Sequence, residues 1–438
     1  MAILSKEEAR QILEKVLSFA SADETIVTLN GGNGGNIRYA RNTVSTAGKQ
    51  ENTSLAVQSS YGKRSGTSTI NEFDDASLQK VVKRAEEVAR LAPENPEFMP
   101  ALKPQQYQES KTFYQSTADI RPEDRAKVAE SSIVPASASD IVAAGFLEDN
   151  AGFSSMMNSN GLFAYSQDSG LDFTVTMRST DGTGSGWVTR DFNDFSKLNA
   201  AEASQIAIEK ALQSRNPKAI EPGKYTVILE PAAAVDLLQN MLYNMDARDA
   251  DEGRSFLSKQ GGATKKGEKI VDERVQIYSD PFHRDVPFRT WSGDGLPQKK
   301  TSWIENGVVK NMFYDRYWAQ KKGAEPVPSP SNFVMDGGNA SLEDMIKDTR
   351  RGILVTRLWY IRTVDPQTLL YTGLTRDGTF YIENGKIKHP VKNFRFNESP
   401  IIMLNNLEAM GRPQRVDGNM VPPLKIRDFT FTSLSDAI

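Results

Sequence analysis

Two breaks in regular patterning divide this chain and limit what it can fold into. Residues 93–112, PENPEFMPALKPQQYQESKT, hold four prolines and little periodicity, and residues 216–223, NPKAIEPG, again set proline and glycine among polar residues. Proline lacks an N–H and fixes φ, so such stretches end helices and interior strands. The breaks predict an N-terminal α/β domain over 1–92, a linker over 93–112, a middle β-rich domain with flanking helices over 113–216, and a C-terminal domain over 222–438. With 438 residues, 38% of them hydrophobic, there is material for two or three cores.

Local signals fill in these parts. Ser5 and Glu8 form a capping-box pattern before Ile12, Leu13, Val16 and Leu17, which predicts an amphipathic first helix. Alternating segments follow at 25–29, 36–45 and 54–61, then a helix over 75–91 with Leu78, Val81, Val82, Ala85 and Val88 inward. A short helix over 122–132 precedes a β-rich run over 140–190 with an Asn160-Gly161 turn, and a helix over 199–214 closes the middle part. The C-terminal part opens with a strand over 225–229 and a helix from Pro231 to about Met245, with Val235, Leu238, Leu242 and Met245 on one side. Residues 249–269 are polar and glycine-containing and read as a long mobile loop. Asn306-Gly307 and Asn384-Gly385 sit in similar frames, each the favoured pair for a type I′ hairpin.

Composition narrows the chemistry. Fifty-three basic against 56 acidic residues give a net charge of −3, which offers no broad basic surface for nucleic acid. Charged residues interrupt the first twenty positions, and no later window has the roughly 18 apolar residues of a membrane span. A cytoplasmic protein is expected. Cysteine is absent, which removes disulfides, thiolate nucleophiles and thiolate metal sites. His283 and His389 are 106 positions apart, so no helical pair of imidazoles exists, whereas a hydrolytic zinc site wants three protein ligands, usually two or three of them His.

Several motifs carry a functional reading beside a plainer one. The run Asn30-Gly31-Gly32-Asn33-Gly34-Gly35-Asn36 has the glycines of a phosphate cradle but neither P-loop nor dinucleotide spacing, and reads as a flexible strand connection. Ser255 has no Gly-x-Ser-x-Gly elbow around it, and with Arg254 it reads as a structural or peptide-contacting pair. The loop carboxylates Asp249, Asp251 and Glu252 are solvated charge unless one is desolvated. The run from Thr356 to Pro366, TRLWYIRTVDP, mixes Arg357 and Arg362 with Trp359 and Tyr360. Such a strand suits either a cleft wall for peptide or internal ion pairs.

The C-terminal half carries the most specific pattern: Val227 to Pro231, Asp251 to Ser255, Ile304 to Gly307, Asp315 to Tyr317, Gly352 to Arg362, and above all Asp365 through Thr372-Gly373-Leu374-Thr375-Arg376-Asp377-Gly378 to Asn393. In these segments the chain resembles the TldD/PmbA family over nearly its whole length. The resemblance implies an α+β fold, with a split N-terminal α/β region followed by a larger β-rich C-terminal domain. Metal-bearing members of that family carry His-Glu-x-x-x-His after a similar leucine pair. Here the same frame reads Gln239-Asn240-Met241-Leu242-Tyr243-Asn244.

What the resemblance implies is a TldE/PmbA-like subunit without zinc ligands, catalytically silent alone. It would be paired with a TldD-like homologue that holds the Zn, the pair acting in proteolysis of unfolded or precursor peptides. A homodimer is the alternative assembly, and an independent non-zinc hydrolase or peptide-binding protein is the alternative function. The family has also been associated with modulation of DNA gyrase, which this charge balance does not support. Gln239 and Asn244 offer only weak amide oxygens in place of imidazoles, and Asn240 cannot take a proton in place of glutamate. No metal or other cofactor is expected on this chain, and the candidate peptide-binding residues are Arg254, Ser255, Arg357, Tyr360, Arg362 and Arg376.

Overall fold

A computed structural model describes residues 3–435. The first helix, α1 (Lys6–Ser18), starts on the expected capping box: the Glu8 N–H donates to Ser5 Oγ at 3.2 Å, and the Ser5 N–H donates back to the Glu8 carboxylate at 2.8 Å. It is followed by β1 (Glu24–Ala40), β2 (Thr43–Tyr61), β3 (Arg64–Ile70) and α2 (Asp75–Leu91). After an extended segment come α3 (Gln115–Ala118), α4 (Pro122–Ala138), β4 (Ile141–Asn158), β5 (Phe163–Ser179), β6 (Ser185–Phe192) and α5 (Ala200–Gln213). The strands form one antiparallel sheet in the order β3-β2-β1-β4-β5-β6. Three strands from each side of the proline-rich segment thus share a sheet, joined where β1 pairs β4 from Ile26–Asn158 to Tyr39–Gly145.

Strand alternation decides which face of that sheet is covered. Val27, Leu29, Leu55, Val57 and Phe153 pack under α1 and α2, while Ile37, Leu147, Phe173 and Val175 pack under α4 and α5. The opposite face carries Asn30, Asn52, Glu148, Asn150 and Asp172, all exposed. In α2, Leu78, Val81, Val82, Ala85 and Ala89 face inward, whereas Val88 is 43% exposed. The buried stripe steps by four from Ala85 to Ala89 and leaves Val88 off the face.

The glycine run is not a connection between strands but the middle of β1, whose turn to β2 is Arg41-Asn42 with both φ values positive at 52° and 58°. Glycine is needed there for close approach. A Cβ on Gly35 would lie 2.2 Å from the Arg125 guanidinium carbon, and one on Gly31 would lie 2.7 Å from the Phe153 ring. Arg125 is held in place by Asp149 through bonds of 2.6 and 2.7 Å, with both side chains almost fully buried. The fourth helix also exceeds its expected end at Ser132, continuing past Pro135.

The C-terminal part begins with β7 (Gly223–Leu229), α6 (Pro231–Tyr243) and α7 (Ala247–Asp251), then β8 (Ile277–Ser279), β9 (Thr301–Glu305), β10 (Val308–Val309), α8 (Arg316–Lys322), β11 (Val334–Met335) and α9 (Leu342–Lys347). It ends with β12 (Arg351–Asp365), β13 (Leu370–Glu383), β14 (Lys386–Pro390), β15 (Asn393–Glu398), α10 (Pro400–Asn405), β16 (Leu407–Met410), β17 (Gln414–Val416), β18 (Asn419–Val421) and β19 (Leu424–Ser435). One sheet runs β12-β7-β19-β15-β13-β14, and because β12 also pairs β13, five of its strands close into a ring. The other runs β10-β9-β8-β11-β18-β17.

Helix α6 belongs to the largest core, burying Ala233, Ala234, Val235, Leu237, Leu238, Met241 and Leu242 with Phe394, Phe396, Phe429 and Phe431 of the ring. The segment after it is not a bare loop: Phe256 and Leu257 are buried in the same core, and bridges pair Ser258 with Thr264 and Lys269 with Val308. Among the described residues no helix is long and apolar enough to cross a membrane.

The proline-rich segment straps the two parts together. Glu97 pairs with Arg248 at 2.8 Å, Tyr107 donates to the Gly295 carbonyl at 2.6 Å, and Ser110 donates to that of Pro281 at 2.6 Å.

Candidate functional site

Helix α6 positions the motif residues. Pro231 opens it at the first turn, where the missing N–H costs nothing, and its seven buried side chains fix its rotation against the ring. The remaining stripe turns Asp236, Gln239, Asn240 and Tyr243 away from the core, and Asn244 caps the end.

Each amide of the motif is spent locally. Asn240 Nδ2 donates to the Asp236 carbonyl at 2.7 Å, Asn244 Nδ2 to the Asn240 carbonyl at 2.7 Å, and Gln239 Nε2 to the Tyr243 hydroxyl at 3.2 Å. Asn244 also reaches the Tyr371 hydroxyl at 3.4 Å. The helix stays regular to Tyr243, so Gln239 and Asn244 diverge by about 140° around its axis. Amide oxygens in place of imidazoles do not fit Zn²⁺, and the regular helix lacks the local distortion that an i, i+5 ligand pair needs. No cluster of three His, Cys, Asp or Glu side chains able to hold a metal occurs among the described residues. His283 accepts from the Asp285 N–H at 3.2 Å, and His389 stacks on Tyr381 with ring centres 5.3 Å apart.

The six candidate peptide-contacting residues fall into three places. Ser255 joins the motif: it is buried, donates to the Asn244 carbonyl at 3.3 Å and accepts from the Leu257 N–H at 3.2 Å. It therefore closes the turn after α6, and among the described residues no basic side chain hydrogen-bonds its hydroxyl. Arg254 lies exposed next to it, paired with Asp249 at 2.7 Å and with Glu252, while Gln367 from the β12–β13 turn donates to the Gly253 carbonyl at 3.2 Å.

Arg357 and Arg376 are cross-strand neighbours in β12 and β13 and share the buried Asp377, at 3.2 and 3.8 Å. Asp377 also accepts from Ser185 Oγ of β6 at 2.5 Å, which joins the ring to the N-terminal sheet. The Arg357 guanidinium lies over the Trp187 ring, 4.3 Å from its centre, and Arg376 over Trp359 at 4.1 Å. Burial pulls Arg357 below its ordinary pKa, with Asp377 opposing.

Tyr360 and Arg362 lie farther along the strand, with Tyr360 in contact with the cluster through Trp359, ring centres 5.5 Å apart. Tyr360 has φ of 55° and sits in a bulge between Trp359 and Arg362, so the side-chain alternation of a regular strand breaks there. The bulge leaves Trp359 40% and Tyr360 56% exposed, with Arg362 over the Tyr360 ring at 4.2 Å. The strand is thus internal ion pair at one end and exposed aromatic ledge at the other.

Three carboxylates matter here that residue pattern did not single out. Asp236, one turn before Asn240, is pushed up to about 6 by burial, with Asp417 adding and Arg357 opposing. Burial pushes Glu398 up to about 7, although the Ser399 and Thr430 N–H groups both donate to it. Asp377 balances two cations. Asp236 was visible as the one charged residue of the α6 sequence; Glu398 and Asp377 acquire their settings only through strand pairing.

Comparison with known proteins agrees with this geometry. A family model described as PmbA/TldA metallopeptidase C-terminal domain matches residues 222–433, and one described as PmbA/TldA metallopeptidase domain 1 matches residues 27–89. An uncharacterized protein of Methanocaldococcus jannaschii is 27% identical over 79% of this chain and 83% of its own length. A metalloprotease of Methanothermobacter thermautotrophicus is 24% identical over 60% of this chain and 61% of its own. Among solved structures, TldE from Thermococcus kodakarensis superposes with a TM-score of 0.87 at 18% identity, covering 98% of this chain and all of that one. A Bacteroides thetaiotaomicron protein described as a candidate modulator of DNA gyrase gives 0.85 at 22% identity over 98% and 99% of the two chains. With both family models matched and the fold shared end to end, this chain belongs to the TldD/PmbA family.

Proposed function

We propose that this chain is the metal-free, TldE/PmbA-like subunit of a two-subunit metallopeptidase, enclosing and holding extended peptide while a TldD-like partner supplies zinc and the hydrolytic step. The observation that carries this reading is the state of α6: the helix keeps its packing, but amides occupy the frame positions and donate to the helix's own atoms. A chain so built can shape a chamber wall but cannot activate water through a metal.

A second feature supports a role in association. Strand β3 pairs only residues 55–61 of β2, so residues 43–54 present an open strand edge of the kind that adds a strand from another chain. The exposed ledge of Trp359, Tyr360 and Arg362 offers apolar and cationic contacts for a flexible peptide.

The test is co-purification of the full chain with a His-Glu-x-x-x-His homologue from the same source, followed by peptide cleavage with and without it. Complex formation with altered cleavage is expected. The reading fails if the two chains neither associate nor change each other's activity. Cleavage by this chain alone that survives a chelator would instead favour an independent hydrolase, for which Asp236 is the group whose raised pKa suits proton transfer.

A further inference from the structure

A cavity of about 520 Å³ lies between the two parts of the molecule, away from the motif positions. Its walls come from β6 and α5 on one side and from the first turn of α6, α9, β12 and the 412–416 segment on the other. It opens at the N-terminal end of α6, and from Pro231 to Gln239 the helix axis runs about 12 Å. The walls are mixed: Ile206, Leu342, Leu354, Phe380 and Ile387 give an apolar part, beside the charged Arg190, Lys210, Arg412 and Arg415 and several carboxylates.

Charge pairing inside this cavity is incomplete. Lys210 is neutralised by Glu230, its ammonium 2.7 and 2.8 Å from the two carboxylate oxygens, and Arg415 by Asp191 at 2.8 Å. Arg190, in β6, has no carboxylate oxygen within 4 Å among the described residues, and its one hydrogen bond goes to the neighbouring Thr189 carbonyl at 2.9 Å. Glu202, Glu230 and Asp191 act on it only from farther away, and burial lowers its pKa. The other N–H groups of this half-buried guanidinium have no protein acceptor among the described residues and are left to water or to a ligand.

We infer that this cavity binds a monocarboxylate bearing a compact apolar group, with the carboxylate on Arg190 and the apolar part against Leu354 and Phe380. The planar fork of arginine matches the two oxygens of a carboxylate. With Glu230 already paired to Lys210, the remaining carboxylates of the lining, Glu209 and Glu343, weigh against a multiply charged anion such as phosphate. A free N-acylated amino acid and the C-terminus of a peptide share this chemistry. The inference stands on the cavity and Arg190, and holds whether or not the chain has a zinc-bearing partner.

Calorimetric titration of the full chain tests it with three probes: N-acetyl-leucine, an N-acetylated tripeptide acid ending in leucine, and the same tripeptide as its C-terminal amide. The acid is expected to bind at least about tenfold more tightly than the amide, the scale of one lost charge-assisted pair. Arg190→Met, which keeps the apolar stem, should lose the acid preference, and Arg190→Lys should retain part of it. Binding of both acids supports a free small ligand, and binding of the tripeptide acid alone supports a peptide end. Equal affinity for acid and amide, no heat with either acid, or undiminished acid preference in a folded R190M chain overturns the inference. The acid–amide comparison uses the unaltered chain, so it decides the matter even if R190M fails to fold.

Discussion

Replacing Asp377 with Asn should weaken the junction between the ring and the N-terminal sheet by about 3–5 kcal/mol, the usual cost of leaving buried charge uncompensated. The exchange is nearly isosteric, and asparagine tolerates the positive φ of 54° at this position. Its amide oxygen can still accept from Ser185. What disappears is the negative charge 3.2 Å from Arg357 and 3.8 Å from Arg376. At an effective dielectric of about 20 those separations correspond to about 5 and 4 kcal/mol of gross attraction, from which desolvation and the mutual repulsion of the guanidiniums must be subtracted. Trp187 and Trp359 stack on these two arginines, so urea titration followed by tryptophan fluorescence reports on the junction directly. The D377N transition should move to lower urea, and 0.5 M salt should not restore it, because buried pairs are weakly screened. Adding Arg357→Met to D377N removes one orphaned cation and should recover part of the loss. A cost under about 1 kcal/mol, or a double variant worse than D377N alone, would refute the assignment of Asp377 as the shared counter-ion.

Three further outcomes follow from other parts of the molecule. Because burial raises Glu398 to about 7 from an ordinary value of 4.5, the folded state holds its proton more tightly than the unfolded chain. That contribution to stability is present below about pH 4.5 and is lost as pH rises through about 7. Glu398→Gln should flatten this fall, which urea midpoints between pH 5 and 8 will show; an unchanged slope would discount the buried carboxyl. Gly35→Ala puts a methyl 2.2 Å from the Arg125 guanidinium carbon and must displace a residue pinned by Asp149. It should cost about 3 kcal/mol or more, read as a fall in melting temperature, and near-wild-type melting would contradict the packing described. The triple variant Q239H/N240E/N244H should retain well under one equivalent of zinc, since two imidazoles about 140° apart on α6 still lack a third ligand. Stoichiometric zinc with chelator-sensitive peptide cleavage would show that the amide substitutions alone silence the site.

The elements that follow from short-range rules were legible in the sequence. Ser5 and Glu8 close the predicted capping box, Pro231 opens the predicted helix, and Asn306-Gly307 and Asn384-Gly385 take the paired positive φ values of type I′ turns. The features missed depend on partners far along the chain. Glycines usually weaken a strand, yet Gly31 and Gly35 of β1 are required by Phe153 and Arg125, more than eighty residues away. The bulge at Tyr360 and the β12–β13 pairing that closes the ring are likewise products of assembly. At the site, the amides Gln239, Asn240 and Asn244 were visible from residue types alone, and their placement along and at the end of α6 followed from the predicted helix. The division of the TRLWYIR run into a buried ion pair and an exposed ledge was not, because strand alternation carries no signal for an inserted residue.

The persistence of α6 without metal ligands has a packing explanation. Its seven buried side chains belong to the largest core, and Asn244 at its end is tied to Ser255 and near Tyr371. Losing one such leucine to alanine costs about 2–5 kcal/mol, so drift at the buried positions is strongly opposed. Gln239 and Asn240 face away from that core and make only local bonds, so their exchange would leave the fold almost untouched. The frame and the chemistry are therefore held by different forces on opposite faces of one helix. On the proposed reading, in which Gln239, Asn240 and Asn244 stand at the zinc-motif positions, selection on folding preserves the first, and only selection on catalysis in this same chain would preserve the second.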